Sequence, residues 1–528
     1  MRELIKSELA RVLERDVVVE APKDRSLGHF ATPVAMSLAR ELRKAPKIIA
    51  EELSAKFDGH ENLEVSALNG YINIHLKGKF LNKLATDALN RGVEFAKGAP
   101  KSGSTMIEYV SANPTGPLHI GHVRGAVFGD TLARLGRYLG YEIATEYYIN
   151  DAGNQIEMLG NSVVLACREL RGEVVEYGEN DYKGDYIKDC ARAAMAHFGE
   201  AVFDETKFSE LCGWAKDQML ALIRQNLADA HITIDNWVSE SSLYGALDAT
   251  IARLKECGGT YEQDGKIWLA SSQKGDEKDR VVVRDDGRPT YLAGDIVYHH
   301  DKLKRGFDHY INIWGADHHG YIARVKAAIA FLGYDPARLE VILAQMVALL
   351  KNGEAYKMSK RAGNFILMSD VLAEIGADAL RYIFISKKCD TALEFDVDAL
   401  KKQDPSNPIF YVNYAHARVH QLFSRAGKSP ESVADADISV LDSDAQNLAF
   451  MALSLPDVLG DAFEARALQK IPDYLKALCA EFHRIYTQTR VIGHEHEDAL
   501  LKVFSLVALS VRTALSLMGI AARDKMEH

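Results

Sequence analysis

The chain has 528 residues, of which 47% are hydrophobic and 26% charged, and its formal net charge is −11. This composition is typical of a soluble globular protein of about three domains, and it excludes a protein that coats nucleic acid non-specifically, which needs surplus Lys and Arg. A charged N-terminus, no run near the ~18 apolar residues of a membrane span, and six scattered cysteines without a C-x-x-C pair together predict a cytoplasmic protein.

The first predicted domain is an α+β module over residues 1–98. Helical spacing over 31–57 is followed by strand-like alternation over 65–76. The stretch 95–105 is rich in Gly, Pro, Ser and Lys, which is typical of a linker. We therefore expect a second domain to begin near residue 99.

The second predicted domain covers residues 99–385. A buried strand over 105–112, a long helical pattern and a second strand over 142–150 make a βαβ unit, which predicts a doubly wound parallel sheet of the Rossmann type. Residues 155–258 are mostly helical and too long for one crossover, so we interpret them as an insertion. Further strand patterns occur at 266–270, 280–284, 309–315 and 339–349.

The last predicted domain is an all-α bundle over 386–528. Strand signals vanish after residue 386, and three apolar stretches repeat helical spacing. The sequence therefore predicts a multidomain α/β protein with an α+β N-terminal module, a parallel-sheet catalytic domain with a helical insertion, and a helical C-terminal bundle.

Two histidines three residues apart, His119 and His122, follow the first strand of the second domain in SANPTGPLHIGHVRG. This loop belongs at the carboxyl end of the parallel sheet, where such sheets bind ligands, and the N-terminus of the next helix favours phosphate. Each imidazole can offer an N–H to a phosphate oxygen, and Gly121 and Gly125 would let a flat base lie against the helix. A Pro/Gly-rich turn with two incidental histidines is the alternative.

A basic loop, YKMSKRAGN, follows the last strand pattern and carries Lys357, Lys360 and Arg361. It is either a solvated surface loop or a device that neutralises a triphosphate. PLHIGH and KMSK, in this order and about 240 residues apart, resemble the two signatures of class I aminoacyl-tRNA synthetases.

The residues around both signatures resemble one family of that class, the arginyl-tRNA synthetases of the bacterial type. EYVSANPTGPLHIGH, YYINDAGNQI, YLAGDIVYHHDKL, WGADHHGY and NPIFYVNYAHAR carry the resemblance, which extends from about residue 20 to the chain end. It implies an enzyme that forms arginyl-adenylate from L-arginine and Mg²⁺–ATP and transfers arginine to tRNA(Arg). We also expect no tightly bound metal, no DNA or membrane partner, and a monomer.

The resemblance assigns roles to named residues. Charge on the phosphates in the transition state would be stabilised by His119, His122, Lys357 and Lys360. The expected ATP-binding residues are Pro117, Gly121, Gly125, Gly315, Asp317, His318, Met358 and Ser359. Because Asp317 and His318 stand beside a second histidine, a metal site there is an alternative, although no cysteine or further histidine is near in sequence.

An arginine pocket needs carboxylates, because a guanidinium keeps its charge and matches their planar geometry. The resemblance places one acid at Glu240 and a Tyr and an Asp at Tyr291 and Asp295, four residues apart and so on one helix face. The expected ligands of the substrate's α-amino and carboxylate end are Glu108, Ser111 and Asn113.

The C-terminal bundle is expected to read the anticodon. Tyr411, Tyr414 and Arg418 are three and four residues apart on one predicted helix, where they could stack on single-stranded bases. Packing in the bundle core is the alternative for these residues. Another class I synthetase and a non-catalytic tRNA-binding relative remain alternatives for the whole chain.

Overall fold

The structure is a computed structural model that describes residues 1–357 and 365–526. The chain divides into two compact units. Unit 1 comprises Met1–Ala99, Gln403–Leu517 and Ala521–His528, whereas unit 2 comprises Pro100–Lys402 and Met518–Ile520.

The N-terminal part of unit 1 is a small antiparallel sheet with helices. Its elements are α1 (Arg2–Leu13), β1 (Phe30–Thr32), α2 (Val34–Leu42), α3 (Pro46–Ala55), β2 (Leu63–Leu68), β3 (Tyr71–Leu76) and α4 (Gly78–Arg91), and the strand order is β1-β3-β2. The helical pattern over 31–57 breaks where Arg43 takes a left-handed φ of 50°. The strand pattern over 65–76 folds back at Asn69 and Gly70, both with positive φ, as an Asn-Gly hairpin turn requires.

Unit 2 contains the other strands and most of the remaining helices. Its elements in chain order are β4 (Ser104–Glu108), α5 (Ile120–Tyr138), β5 (Glu142–Ile149), α6 (Asn154–Leu170), α7 (Asp185–Phe198), α8 (Phe208–Asp229), β6 (Asn236–Ser239), α9 (Leu247–Glu256), β7 (Thr260–Gln263), β8 (Lys266–Leu269), β9 (Arg280–Val283), α10 (Tyr291–Lys304), β10 (His309–Gly315), α11 (Ile322–Phe331), β11 (Leu339–Ala344), β12 (Val347–Lys351), β13 (Glu354–Ala355), α12 (Met368–Phe384) and β14 (Leu393–Asp396).

The main sheet of unit 2 has five strands in the order β11-β10-β4-β5-β6, and every neighbouring pair is parallel. This confirms the predicted doubly wound parallel sheet. The chain leaves β4 toward β5 on one side and returns on the other side as β10. The loops after β4 and β10 therefore meet at a topological switch point, the usual ligand site of such sheets.

The helices predicted as an insertion form the crossover from β5 to β6. Helices α6, α7 and α8 bury a core of their own, which includes Leu159, Val163, Ile187 and Leu211. Strand β6 then joins the main sheet beside β5. A crossover of this length is possible because its helices pack against one another.

Two small sheets complete unit 2. Strands β7, β8 and β9 form an antiparallel sheet, and β12 pairs with β13 and, in parallel, with β14. Strand β14 lies after residue 386, where the sequence predicted no strand. That prediction is wrong for four residues, because LEFD is too short to give a periodic signal.

The C-terminal part of unit 1 is the helical bundle that the sequence predicts. Its helices are α13 (Pro408–Ala426), α14 (Ser443–Leu453), α15 (Leu455–Glu464), α16 (Lys470–Gln488) and α17 (Glu497–Leu517). By length and composition α17 could cross a membrane, with a mean hydropathy of 1.7, although the sequence analysis expected no such run. However, 89% of that apolar window is buried inside the protein, as in the core helix of a bundle.

Candidate active site

The loop after β4 is the strained centre of the site. Val110 and Ser111 have φ of 70° and 44°, which side chains with a Cβ rarely adopt. The Ser111 hydroxyl donates to Glu108 Oε1 over 2.8 Å and accepts from the backbone N–H of Tyr148 over 3.0 Å. Ser111 thus holds the loop between β4 and β5, whereas Asn113 is exposed.

His119 is the N-cap of α5, and its ring lies beside that of His122, with 3.7 Å between ring centroids. The backbone N–H of Gly121 donates to His119 Nδ1 over 3.2 Å, and that of His119 donates to His122 Nδ1 over 3.3 Å. Because both Nδ1 atoms accept, both rings carry their proton on Nε2 when neutral. Each Nε2–H is thereby a donor for a ligand.

Burial keeps both imidazoles neutral. It lowers the pKa of His119, and together with the neighbouring His119 it lowers the pKa of His122 to about 3. The two residues can therefore donate hydrogen bonds near neutral pH without carrying charge. A Cβ on Gly121 would crowd the His119 ring at 3.0 Å, so this glycine makes room for the cap. Gly125 and Pro117 are half-buried.

Glu108 ends β4 in a buried ion pair that the sequence analysis missed. Lys302 Nζ donates to Glu108 Oε2 over 2.5 Å and to Asn312 Oδ1 over 2.8 Å. Only 5% of the Glu108 side chain and 1% of the Lys302 side chain are exposed. Because Ser111 donates to the other oxygen of Glu108, both carboxylate oxygens already accept hydrogen bonds within the protein. The predicted contact of Glu108 with the substrate's amino group therefore stays a prediction. One indication of this network in the sequence is the polar residue Asn312 inside the otherwise apolar strand HYINIWG.

Glu240 and Asp295 form an acidic pocket beside α10. Burial raises the pKa of Asp295 to about 7, and the charges of Glu108 and Glu240 add to that rise. Burial likewise raises the pKa of Glu240 to about 7, with a further contribution from Asp151. The carboxyl groups of Glu108, Glu240 and Asp295 lie close enough to influence one another, and Lys302 is paired with Glu108. The surplus of acidic groups makes a site that favours a bound cation.

The Glu240 side of this pocket opens into a small cavity. It is lined by Glu240, Leu243, Tyr244, Leu247, Pro289, Gly294 and Val297. The hydroxyl of Tyr148 is buried beside Glu240 and hydrogen-bonds to its carboxyl. Its pKa is raised, first by burial and then by the charges of Glu240 and Asp295, which places it among the same acids. A buried hydroxyl beside buried acids at a cavity fits a polar ligand.

A basic groove adjoins the acidic pocket. Its lining includes Arg280, Arg284, Arg324, Tyr291 and Tyr321. Tyr291 is 65% exposed in this groove, so it does not share the burial of Asp295 four residues later. Tyr321 links the acidic pocket to the basic groove, because it hydrogen-bonds to the Asp295 carboxyl and its ring lies under the Arg324 guanidinium.

The remaining predicted ATP ligands lie on open loops. Gly315 ends β10 at the switch point, and Asp317 and His318 follow in an exposed turn, 3.6 Å apart between Oδ2 and Nε2. Lys357 is exposed. The predicted residues Met358, Ser359 and Lys360 lie outside the described residues.

In unit 1, the structure brings the three predicted tRNA-binding residues together on α13. Arg418 Nη2 donates to the Tyr414 hydroxyl over 2.8 Å, and the Arg418 guanidinium lies 4.5 Å from the ring centroids of both Tyr414 and Tyr486. His483 contacts the ring of Tyr411 at 5.0 Å. The half-buried cluster therefore includes His483 and Tyr486 of α16, which periodicity within α13 could not reveal.

Among the described residues, one group of three potential metal ligands lies close together: His416, His420 and Asp524. His416 Nδ1 is 3.0 Å from the carbonyl oxygen of Arg523, and Asp524 Oδ1 is 3.4 Å from His420 Nε2. These contacts tie α13 to the residues near the chain end. Asp317 and His318 belong to no such group within the described ranges.

Three family models match the chain. They are described as Arginyl tRNA synthetase N terminal domain over residues 1–76, tRNA synthetases class I (R), catalytic domain over residues 85–419, and DALR anticodon binding domain over residues 412–526. The chain is 61% identical to an arginine–tRNA ligase of Campylobacter jejuni over 530 residues and 60% identical to that of Campylobacter curvus over 529 residues. Both alignments cover 100% of each chain.

Solved structures show the same similarity. A Campylobacter jejuni structure assigned as an arginyl-tRNA synthetase is 63% identical, with a TM-score of 0.83, and the match covers 85% of this chain and 100% of that one. The Thermus thermophilus arginyl-tRNA synthetase has a TM-score of 0.78 over 100% of both chains at 21% identity, which shows a shared fold.

Proposed function

The chain belongs to the arginyl-tRNA synthetase family, and from this membership we propose how its own residues bind arginine, ATP and tRNA. Its reaction joins L-arginine to tRNA and converts ATP to AMP and pyrophosphate. One observation carries the assignment of the arginine site: Glu240 and Asp295 are neighbouring carboxyls of raised pKa, and Glu240 lines a small cavity of the catalytic unit.

The guanidinium of arginine binds at Glu240 and Asp295. A buried carboxylate without a partner is costly, and a guanidinium that stays charged supplies both the opposite charge and a planar set of donors. Tyr148 and Tyr321 flank the two acids and fix their orientation. The α-amino and carboxylate end of arginine then lies toward the loop that carries Ser111 and Asn113, beside the phosphates of ATP.

ATP lies across the switch point. His119 and His122 donate Nε2–H to phosphate oxygens at the N-terminus of α5, and Gly315, Asp317 and His318 hold the ribose and adenine. Gly121, Gly125 and Pro117 shape the adjoining surface. Lys357 and Lys360, with Met358 and Ser359, neutralise the charge of the leaving pyrophosphate. Mg²⁺ enters as part of the substrate complex and keeps most of its waters.

The reaction is then an in-line displacement. A carboxylate oxygen of arginine attacks the α-phosphorus of ATP, and the bond to the bridging oxygen breaks as pyrophosphate leaves. His119 and His122, neutral because their pKa values are lowered, donate hydrogen bonds to the growing negative charge. No proton transfer is needed, because the attacking carboxylate is already ionised and pyrophosphate leaves as an anion. In the second step the 2′-hydroxyl of the terminal adenosine of tRNA attacks the carbonyl carbon of arginyl-adenylate. The bond from that carbon to the phosphate oxygen breaks, AMP leaves, and the hydroxyl proton is released.

Several parts of the chain contact tRNA in this proposal. The groove with Arg280, Arg284 and Arg324 suits the phosphates of the acceptor end, and its tyrosines suit the terminal bases. Tyr411, Tyr414 and Arg418 face the anticodon, and the N-terminal module binds tRNA as well. We also propose a cytoplasmic monomer without DNA or membrane partners. The burial of α17 supports the membrane part of this proposal.

ATP–pyrophosphate exchange with each of the twenty amino acids, with and without total tRNA, tests the proposed function. We expect exchange with arginine alone. Because the family resemblance implies that tRNA must be bound before arginine is activated, we expect this exchange only when tRNA is added. Exchange with a different amino acid would show that the acidic pocket is misassigned. No exchange with any amino acid would indicate a non-catalytic relative.

A further inference from the structure

The segment that begins at Phe365 is bonded to the turn that carries His119. The backbone N–H of Ile120 donates to the carbonyl of Ile366 over 2.9 Å, and that of Met368 donates to the carbonyl of Leu118 over 3.0 Å. His119 and Leu367 are paired in an isolated antiparallel bridge. Residues 366–368 therefore run alongside residues 118–120 in a fixed register.

The first side chain of this segment stacks on the His119 ring. The ring centroids of Phe365 and His119 are 5.0 Å apart, and the ring planes differ by 9°. Phe365 is nevertheless 51% exposed, so it is not part of the hydrophobic core. Core packing therefore does not explain why a large apolar ring is held beside a polar site. Among the described residues, the ring of Phe365 is stacked on that of His119, which suggests that this contact is its purpose.

Besides Phe365, the His119 ring contacts the tilted ring of His122, at 3.7 Å between centroids, and one backbone N–H. Its Nδ1 accepts a 3.2 Å hydrogen bond from Gly121, and the terminal torsion of a histidine side chain is broad. A hydrogen bond weakens steeply when its angle falls below about 120°, so rotation of the ring would spoil donation from Nε2 to a phosphate oxygen. A flat ring parallel to the imidazole opposes that rotation.

We propose that Phe365 is a positioning residue that fixes the plane of His119 for the activation of arginine. This inference rests on the proposed function, which makes His119 a donor to ATP. Phe365 acts through His119 and contributes no polar group of its own. The bonded register of residues 366–368 keeps Phe365 in place while the phosphates bind.

Single substitutions of Phe365 distinguish an effect of ring stacking from an effect of side-chain size. Phe365→Leu keeps an apolar side chain but removes the flat ring, and we expect it to lower kcat for pyrophosphate exchange about tenfold, less than the roughly 10²-fold that a misplacement of about 1 Å can cost. KM for arginine stays unchanged, and Phe365→Tyr, which keeps the ring, retains kcat. Tyr261→Leu is the matched control, because Tyr261 is also exposed and stacked, on Trp268, and its replacement leaves kcat unchanged.

A double-mutant cycle with His119→Ala tests the mechanism itself. His119→Ala alone should lower kcat roughly 10²- to 10³-fold, as loss of a transition-state donor does, and adding Phe365→Leu should lower it no further. Full activity of His119→Ala would overturn the role of His119 and the inference with it. A further tenfold loss in the double variant, or a Phe365→Leu variant with unchanged kcat, would overturn the inference and leave the proposed function intact.

Discussion

Glu240 lies against the backbone of Gly294, the residue that precedes Asp295 on α10. A Cβ at position 294 would overlap Glu240 Oε1, so a residue without a side chain is what lets the carboxylate approach the helix. The charge of Glu240 in turn raises the pKa of Asp295. A glycine inside a helix normally lowers stability by about 1 kcal/mol relative to alanine. The close approach of the Glu240 side chain explains why a glycine nevertheless occupies position 294.

Gly294→Ala should therefore weaken arginine binding. The new methyl group displaces the Glu240 carboxylate, and we expect KM for arginine to rise at least tenfold, or about 1.4 kcal/mol, with KM for ATP unchanged. Steady-state exchange measures both constants. Gly245→Ala is the control, because Gly245 lies near the same cavity lining and a Cβ there meets nothing within 4 Å. Equal effects of the two variants would refute the steric explanation.

Arginine binding should depend on pH through the same acids. Glu240 and Asp295 both have a pKa of about 7 in the free protein, and the guanidinium prefers their ionised forms. Affinity should be full well above pH 7 and should fall below it by up to about tenfold per pH unit for each carboxyl that must lose its proton. Measurements of kcat/KM for arginine between about pH 6 and about pH 9 test this, and a flat profile would contradict it.

Stability should follow the opposite course in the free protein. A carboxyl whose pKa is raised on folding contributes stability that is complete below its unfolded pKa of about 4 and is lost as pH rises through about 7. Arginine restores the lost part by pairing with the ionised acids. At saturating concentration it should thus raise Tm more at high pH than at low pH, as a thermal-shift titration can measure.

The cluster on α13 gives a prediction for tRNA. Arg418→Lys keeps the charge but removes the planar group that lies over Tyr414 and Tyr486, so KM for tRNA should rise several-fold, or about 1 kcal/mol. Aminoacylation kinetics with a tRNA titration measure it. Arg425→Lys, at an exposed position of the same helix, serves as control. If Arg418 only stabilises the bundle, Tm will fall while KM for tRNA stays constant.

The place of the site could be predicted because it depends on local patterns. A strand followed by a Gly/Pro-rich loop and a helix puts His119 at the carboxyl edge of β4, and spacing alone put Tyr411, Tyr414 and Arg418 on one helix face. Spacing did not reveal that Tyr291 is exposed at the start of α10 while Asp295 is half-buried, and a role of Tyr291 in arginine binding stays a prediction.

Contacts between distant parts of the chain could not be predicted. Lys302 and Glu108 are 194 residues apart, and no periodic pattern links a lysine in a helix to an acid at a strand end. Phe365 is an ordinary loop residue by sequence, and its stacking on His119 follows from the register of residues 366–368 against 118–120. Such pairs depend on how strands order in the sheet, which single-residue properties do not encode.

The most direct test of the account is the preference of the enzyme for L-arginine over L-citrulline, whose side chain has nearly the same shape but no charge. Wild-type protein should prefer arginine by roughly 10⁴-fold or more in kcat/KM, because citrulline leaves the acids unpaired. Asp295→Asn should reduce that preference at least a hundredfold with ATP binding spared, whereas Asp301→Asn on the same helix should not. Unchanged arginine affinity and unchanged preference in Asp295→Asn would contradict the assigned pocket.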